Sequence, residues 1–297
     1  MTYSSPVLAT QDGAASQATD TTQDVSPKDS LRALVESVNV AETLDEDALK
    51  SVGIEAKEGY DNDRESRSQW EKDIDEWTKL ATQVREERSW PWPRASNVKY
   101  PLLATASMQF AARAYPSLIP SDGKVVKTKV IGKDPTGEKA ELAARVSSYM
   151  SYQIMYEMDC WEEEMDKMLI MLPVVGTMFK KTYWDGVKKR VVSDLILPKD
   201  LVVNYWAKSL RDAERISQVF EMSERVLKER QRSGLFLDVD LGSPNNPTEV
   251  PTGMGNIPAL DATTPYIIIE QHTYLDLDDD GYKEPYIVTF HEDSGTV

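Results

Sequence analysis

The clearest chemical signal in the sequence is a cluster of carboxylates near its end. Alternate acidic residues before Gly281 match the first positions of a calcium loop, and oxygen ligands on a tight glycine turn suit a hard cation such as Ca²⁺. Tyr282 would contribute its main-chain carbonyl. The candidate calcium ligands are Asp276, Asp278, Asp280, Tyr282 and Glu284.

Two features of this loop favour a different interpretation. Its twelfth position is Ile287 rather than a bidentate glutamate, and the flanking residues are patterned as strands rather than helices. A solvated hairpin turn is therefore the alternative, because water and salt screen the repulsion between exposed carboxylates.

A second candidate, Gly132–Ala140, is close to a phosphate-binding P-loop and lies between a strand-like and a helical segment. A P-loop needs a lysine directly after its second glycine and then a hydroxyl residue for magnesium. Glu138 follows Gly137 here, and Ala140 replaces the hydroxyl. A carboxylate in a phosphate site is repulsive, so we favour a turn that leads into a helix.

Basic residues surround Asp185-Gly186, which is a strong hairpin signal between two strand-like runs. Such a hairpin tip could contact DNA phosphates or an acidic neighbouring subunit, and we favour subunit or solvent contacts. The residues are Lys180, Lys181, Lys188, Lys189 and Arg190.

Groups for nucleophilic catalysis are scarce. Cys160 is the single cysteine, and His272 and His291 are the only histidines. A nucleophile needs a base within reach, and no acid, base and nucleophile assemble from the pattern. We expect a structural or interaction protein that is not an enzyme and requires no cofactor.

Composition and charge further narrow the class of protein to which the chain could belong. The chain has 297 residues, with 50 acidic and 34 basic side chains and a formal net charge of −16. This balance argues against a protein that reads nucleic-acid sequence by wrapping phosphates in Lys and Arg. No apolar run approaches the roughly 18 residues of a membrane-spanning helix, so we expect no membrane insertion.

The sequence divides into an N-terminal arm and a folded body that would position these candidate residues. Residues 1–59 are expected to be an acidic, largely disordered arm, since their polar segments cannot offset the entropy of ordering. Within the arm, 30–36 and 44–50 carry apolar residues at helical spacing and are expected to be marginal helices or to fold only against a partner. Residues 60–297 form the body, and the chain is expected to be the N-terminal piece of a longer protein.

The body is expected to be α+β, because helical patterns cluster early and hairpins cluster late. The helix over 101–116 is apolar nearly all round, which predicts burial, and the helix over 138–171 is expected to be interrupted near Asp159. The expected helices cover 61–87, 101–116, 138–171 and 224–232, and the expected strands cover 124–131, 174–184, 187–197, 215–222, 266–274 and 286–291.

The order of these segments resembles the portal proteins, or head-to-tail connectors, of tailed bacteriophages, especially the large-portal group of short-tailed phages. The resemblance extends over about residues 60–297. It is carried by the helix around Trp70 and Trp77, by Trp90–Ala106 with its Trp-Pro-Trp-Pro start, and by Gln109–Leu118, Val175–Asp185, Leu197–Asn204 and Glu284–Val288.

This resemblance implies a homo-oligomeric ring of about twelve subunits at one capsid vertex. Double-stranded DNA would pass through the ring during packaging and ejection without sequence readout. The ring would dock terminase, tail or adaptor proteins, scaffold and capsid proteins, in the host cytoplasm during assembly and then in the virion. Residues 60–297 would form a wing-like region that is truncated before most of the stem and clip.

The alternative hypothesis is a calcium-dependent scaffold or adhesion module built on residues 276–284. It predicts that millimolar Ca²⁺ raises the melting temperature and that Asp278→Ala abolishes the rise, because the variant lacks one carboxylate ligand. Thermal unfolding with and without Ca²⁺ checks this prediction. An unchanged melting temperature in the unsubstituted protein would remove the calcium hypothesis.

Overall fold

The computed structural model describes residues 39–84, 89–96, 98–186, 188–244, 264–277 and 281–297. Within these ranges, six α-helices and two antiparallel sheets form an α+β fold, with helices mostly in the N-terminal half and strands mostly in the C-terminal half. The expected fold class is confirmed. No helix in the described part of the chain is long and apolar enough to cross a membrane.

The helices and strands follow one another along the chain with connections of very different length. The helices are α1 (Glu46–Ser66), α2 (Ser68–Ala81), α3 (Leu102–Leu118), α4 (Glu138–Tyr152), α5 (Trp161–Val175) and α6 (Glu224–Arg232), with a 3-10 turn at Val40–Thr43 and a π-helical turn at Gln153–Glu157. The strands are β1 (Phe179–Asp185), β2 (Arg190–Ile196), β3 (Leu201–Val203), β4 (Ile216–Met222), β5 (Tyr266–Leu275) and β6 (Glu284–His291). Strands β1 and β2 form one sheet, and the other has the order β3-β4-β5-β6.

The four-stranded sheet is covered on both faces. Neighbouring residues Ile268 and Ile269 of β5 point to opposite faces, and both are buried. Two clusters of buried side chains form the hydrophobic core. The first cluster packs α1 against the sheet and consists of Ala56, Tyr60, Val202, Ile269, Leu275, Val288 and Phe290. The second joins α6 to the opposite face through Met222, Leu227, Tyr266 and Ile268. Each fully buried large side chain contributes about 1.5–3 kcal/mol.

Helix α1 approaches the rest of the protein through small residues. The Asp45 carboxylate caps its start by accepting the Ala48 N–H at 2.7 Å. Gly53 is buried on the inner face, and a Cβ atom there would lie 2.2 Å from the carbonyl oxygen of Gly295. The helix can therefore lie this close to the end of the described chain only with glycine at position 53.

A fully buried carboxylate, that of Asp63, also lies on the inner face of α1. Arg215 donates from Nε to Oδ2 at 3.0 Å and from Nη2 to Oδ1 at 3.1 Å, and Asn204 Nδ2 donates to Oδ1 at 2.9 Å. A Cβ atom at Gly59 would lie 2.9 Å from Arg215 Cδ, so this glycine leaves room for the guanidinium chain. Both carboxylate oxygens are thereby satisfied.

Arg67 lies at the break between α1 and α2. Its Nη1 donates to the Leu201 carbonyl at 2.6 Å, and its Nη2 donates to the carbonyls of Pro198 and Lys199 at 3.0 and 2.9 Å. Its Nε donates to Glu71 at 2.7 Å. The guanidinium therefore holds the turn that leads into β3, and the helix expected over 61–87 is two helices joined at this residue.

The expected boundary between arm and body is wrong. It falls at residue 59, inside the continuous helix α1, whose Ala56 and Tyr60 belong to the core. Residues 46–59 are ordered against the sheet of the same chain, because a face of small and apolar residues packs closely on it. The rest of the expected arm, residues 1–38, lies outside the described residues.

The strand expected over residues 124–131 does not form. The segment contacts α4 instead of a neighbouring strand, and the backbone groups of Val126 bond to serine hydroxyls of that helix. Val126 N–H donates to Ser151 Oγ at 3.2 Å, Ser147 Oγ donates to the Val126 carbonyl, and Thr128 Oγ1 donates to the Ala143 carbonyl at 2.7 Å. β-Branched residues favour an extended backbone, but only a second strand completes a ladder.

The burial expected for residues 101–116 is also wrong. Only Ser107 and Ala111 of α3 are buried, whereas Leu102 is 69% exposed and Met108 57% exposed. The expected interruption of the helix over 138–171 is confirmed, since α4 and the π-helical turn end before Cys160, which has φ +56°.

We expect Asp63→Ala to lower the free energy of unfolding by about 3 kcal/mol, because it leaves the Arg215 guanidinium without its carboxylate in a largely buried site. Urea unfolding measures the change. Asp61→Ala, on the exposed face of the same helix, is the matched control and should change stability by no more than about 0.5 kcal/mol. Equal effects of the two substitutions would contradict a stabilising role for the buried pair.

Candidate functional site

Two of the five predicted calcium ligands, Asp278 and Asp280, lie outside the described residues. Asp276 directly follows β5, and its Oδ2 accepts the Gly281 N–H at 2.9 Å. Gly281 has φ +86°, a backbone conformation that favours glycine. The Asp276 carboxylate therefore helps to close the turn of the β5–β6 hairpin.

The remaining predicted ligands, Tyr282 and Glu284, lead into and begin β6. Glu284 pairs with Leu275 across the hairpin, and its Oε2 accepts the Tyr286 hydroxyl at 3.0 Å. Among the described residues, no three Asp, Glu, His or Cys side chains lie close enough to hold a metal ion. The calcium site therefore stays a prediction, and the flanking strands are those expected.

The P-loop-like segment has a carboxylate where a phosphate would bind. Gly137 has φ +78° immediately before α4, and the Ala140 N–H donates to Asp134 Oδ2 at 2.9 Å. Lys139 Nζ donates to the Lys133 carbonyl at 3.3 Å. Because Asp134 already uses a donor of the helix N-terminus, the geometry favours the turn interpretation over nucleotide binding.

The basic residues of the β1–β2 hairpin are largely paired within the chain. Lys180 lies 3.0 Å from Glu164 of α5, and Arg190 pairs with Asp159. Lys188 lies 3.9 Å from Asp185. The hairpin itself is confirmed, but four residues separate its strands, because Asp185 pairs with Arg190. Pairing with acidic side chains reduces the positive field that DNA phosphates would meet.

Lys181 connects the two sheets. Its Nζ donates to Gln218 of β4 at 2.9 Å and also to the Glu270 carboxylate of β5. His272 Nε2 lies 3.1 Å from the same carboxylate. The His272 hydrogen bond is the largest cause of a lowered Glu270 pKa; partial burial opposes it and Lys181 reinforces it, with a resulting pKa of about 2. Glu270 is therefore an anion that holds the hairpin to the larger sheet.

The thiol and the imidazoles have separate surroundings. Cys160 is exposed just before α5. His272 contacts Glu270, whereas His291 is buried with its Nδ1 3.0 Å from Ser294 Oγ. Burial lowers the His291 pKa, with Asp293 opposing that shift. This arrangement gives Cys160 no histidine base, although catalysis by other groups is a separate question.

An apolar stripe on α4 faces away from the folded chain. Leu142, Val146 and Tyr149 follow one another at steps of four and three residues, which places them on one helix face. They are 54%, 40% and 60% exposed. The other side of α4 carries Ser147 and Ser151, which contact the extended segment 124–131. The sequence prediction did not include this stripe, although apolar residues at steps of four and three are the signal that could have identified it.

Other exposed apolar side chains lie in the same part of the chain. We call the exposed large apolar side chains between Trp90 and Tyr156 the apolar surface. Besides the α4 stripe, it includes Trp90, Trp92, Val98, Tyr100, Leu102, Met108, Phe110, Leu118, Ile131, Met150, Tyr152 and Tyr156. Contiguous exposed apolar patches are typical of protein–protein contact regions, and within this set the α4 stripe is the part whose members share one helix face.

No protein-family model matches the chain, and no curated protein matches it. The functional argument therefore rests on the residues and their geometry.

We expect Glu270→Gln to lower the free energy of unfolding by about 1.5 kcal/mol at neutral pH, because the charge-assisted bond with Lys181 is lost. The folded-state pKa of Glu270 lies below its ordinary value of 4.5. The stabilisation is therefore complete above about pH 4.5 and is lost as the pH falls to about 2. The two proteins should become equally stable over that interval in urea unfolding.

Glu221→Gln is the control for this measurement, since Glu221 is exposed on the adjacent strand β4. It should leave the pH dependence unchanged. A Glu270→Gln effect that is the same at pH 7 and at about pH 3 would contradict the proposed ion pair between the sheets.

Proposed function

We propose that the protein is a structural subunit of a phage portal ring, the conduit for DNA packaging and ejection at the capsid vertex. The observation that carries the proposal is the apolar surface between Trp90 and Tyr156, including the uncovered α4 stripe. Burial of such side chains against a second copy would remove them from water and supply the energy of association.

A second copy of the chain is the partner that best accounts for this surface. Most soluble oligomers are homo-oligomers with closed symmetry, and a head-to-tail contact that closes produces a ring. The α4 stripe lies on a helix whose other side is already occupied by residues 124–131. The uncovered side therefore faces outward, where a neighbouring subunit can reach it.

The proposal of a portal, rather than of another oligomer, rests on the resemblance to phage portal proteins. Trp90–Ala106 and the segments that follow it in order carry that resemblance. The charge is compatible with that role: the net charge is −16, and the hairpin cations Lys180, Lys181 and Arg190 contact carboxylates of the same chain. A wall of this kind would let double-stranded DNA pass without holding its phosphates tightly. Terminase, tail or adaptor, scaffold and capsid proteins are the partners that the proposal includes.

Negative-stain electron microscopy of the longest product of the native reading frame tests the proposal. We expect rings of about twelve subunits with a central hole. Closed rings distinguish a portal from a dimeric scaffold that uses the same surface. Discrete monomers at micromolar concentration would contradict both the portal and the use of the apolar surface for self-association.

The interface is tested by Leu142→Asp, which places a carboxylate in the α4 stripe. A desolvated interface residue contributes about 2 kcal/mol or more, so we expect dissociation to become at least about 30-fold more favourable. Analytical ultracentrifugation across a concentration series measures the change. Ser148→Asp adds the same charge to an exposed position off the stripe and should leave assembly intact. Equal assembly of both variants would exclude the stripe as a subunit contact.

A further inference from the structure

One face of the four-stranded sheet is only partly covered by α6. Tyr266 and Ile268 of β5 are buried with residues of α6 in the second core cluster. His272 and Tyr274 follow on the same face, because alternate residues of a strand point to one side, and both are exposed. Ile287 of β6 pairs with His272 and is 63% exposed. The sheet therefore presents exposed apolar side chains beyond α6.

These side chains border a groove of about 370 Å³ between the sheet and the loop that joins β3 to β4. Leu210 and Arg211 line the groove on the loop side, and Tyr274 and Ile287 line it on the sheet side. All four residues are exposed. Arg211 makes no ion pair with any residue that the structure describes. We call this feature, which combines apolar walls with an available cation, the sheet groove.

The loop side of the sheet groove is held in place by the buried Asp63 carboxylate. Asn204 begins the loop and Arg215 ends it, and both donate to Asp63. Between them, Ser209 Oγ donates to Asp212 Oδ2 at 2.8 Å and closes the turn that carries the two groove-lining residues. A loop that is ordered before binding loses less entropy on association.

A head-to-tail ring needs two different contact surfaces on each subunit, one for each neighbour. The α4 stripe is one exposed apolar surface, and it belongs to the helical half of the chain. The sheet groove is a second one, on the strands and a loop of the other half. The two surfaces therefore meet the requirement that a head-to-tail contact sets.

The two surfaces also carry complementary charges. Glu138 lies four residues before Leu142, on the same face of α4 as the stripe, and is exposed. Within the described ranges Glu138 has no ion-pair partner, so it is available to Arg211 of another copy. Arg145 on the stripe face and Glu214 at the groove give a second pair of opposite charges. Two copies of the groove, in contrast, would bring like charges together at Arg211.

We infer that the sheet groove of one copy receives the α4 stripe of the next copy. This inference rests on the proposed function, because it supplies the second surface of the ring contact. The contact would remove apolar side chains of both surfaces from water. Pairing of Glu138 with Arg211 would fix the register of the helix in the groove.

Two variants of the full chain, each blocked on one surface, test the inference. Leu142→Asp blocks the stripe, and Ile287→Asp blocks the groove at an exposed position where the fold is not at risk. Each variant alone should stay monomeric. An equal mixture should form dimers that grow no further, because it contains one intact stripe and one intact groove for each pair. Analytical ultracentrifugation over a concentration series measures the masses.

The possible outcomes separate this inference from the proposed portal. Rings of Ile287→Asp alone would overturn the inference and leave the portal standing. Dimers of Ile287→Asp alone would overturn it in favour of contact between two stripes. Monomers in the mixture would overturn it, whether or not the unsubstituted protein forms rings. Mixed dimers, together with an unsubstituted protein that forms no ring, would support the contact and contradict the portal.

A charge exchange tests the register. Arg211→Glu should weaken association at least about tenfold, because it places two carboxylates together. Adding Glu138→Arg to the same chain should restore most of this loss. Lys208→Glu changes the net charge equally at an exposed position of the same loop, outside the groove lining, and should leave association unchanged. Equal losses from Arg211→Glu and Lys208→Glu, or no recovery in the double variant, would overturn the inference.

Discussion

The buried carboxylate of Asp63 constrains how the N-terminal helix lies on the C-terminal sheet. An ion removed from water costs several kcal/mol unless it is paired and fully hydrogen-bonded. Its partners Asn204 and Arg215 come from 141 and 152 residues further along the chain, so the carboxylate is satisfied only when α1 is docked on the sheet. Gly59 is part of the same constraint, because a larger residue would displace the Arg215 side chain. One buried charge thereby selects one arrangement of the two halves.

Hydrogen-bonded cations also connect other pairs of secondary-structure elements. Arg67 binds three carbonyls before and at β3, and Lys181 joins the β1–β2 hairpin to Glu270 of the larger sheet. Lys181 belongs to the basic hairpin cluster that could have contacted DNA phosphates. In the structure its ammonium group instead holds two sheets together. Several apolar side chains of α3, among them Leu102 and Met108, and the stripe on α4 take no part in these contacts and are exposed. The described chain thus exposes an apolar helix face on α4, and burial of apolar side chains favours contact with protein over contact with nucleic acid.

Local patterns predicted those elements whose partners are close in sequence. The two hairpins and α6 follow from alternation, turn residues and helix ends that act over a few residues. Residues 124–131 were not predictable in this way, because the hydroxyls of Ser147 and Ser151 on α4 satisfy the backbone at Val126. The pairing of Lys181 with Glu270 was equally hidden, since 89 residues separate them. For the acidic loop, the sequence located the strands and the turn, while metal binding depends on carboxylate positions that no local pattern determines.

Electrostatic repulsion between subunits opposes formation of the proposed ring. Each subunit carries a formal charge of −16, so copies brought together repel one another, and salt screens only part of that repulsion. The hairpin cations Lys180, Lys181 and Arg190 contact carboxylates of their own chain and therefore offer neighbouring subunits little compensating charge. In the proposed ring, burial of the exposed stripe formed by Leu142, Val146 and Tyr149 is one source of association energy that can oppose this repulsion. Lysine and arginine side chains that contact carboxylates of their own subunit would also hold DNA phosphates less tightly in the proposed conduit.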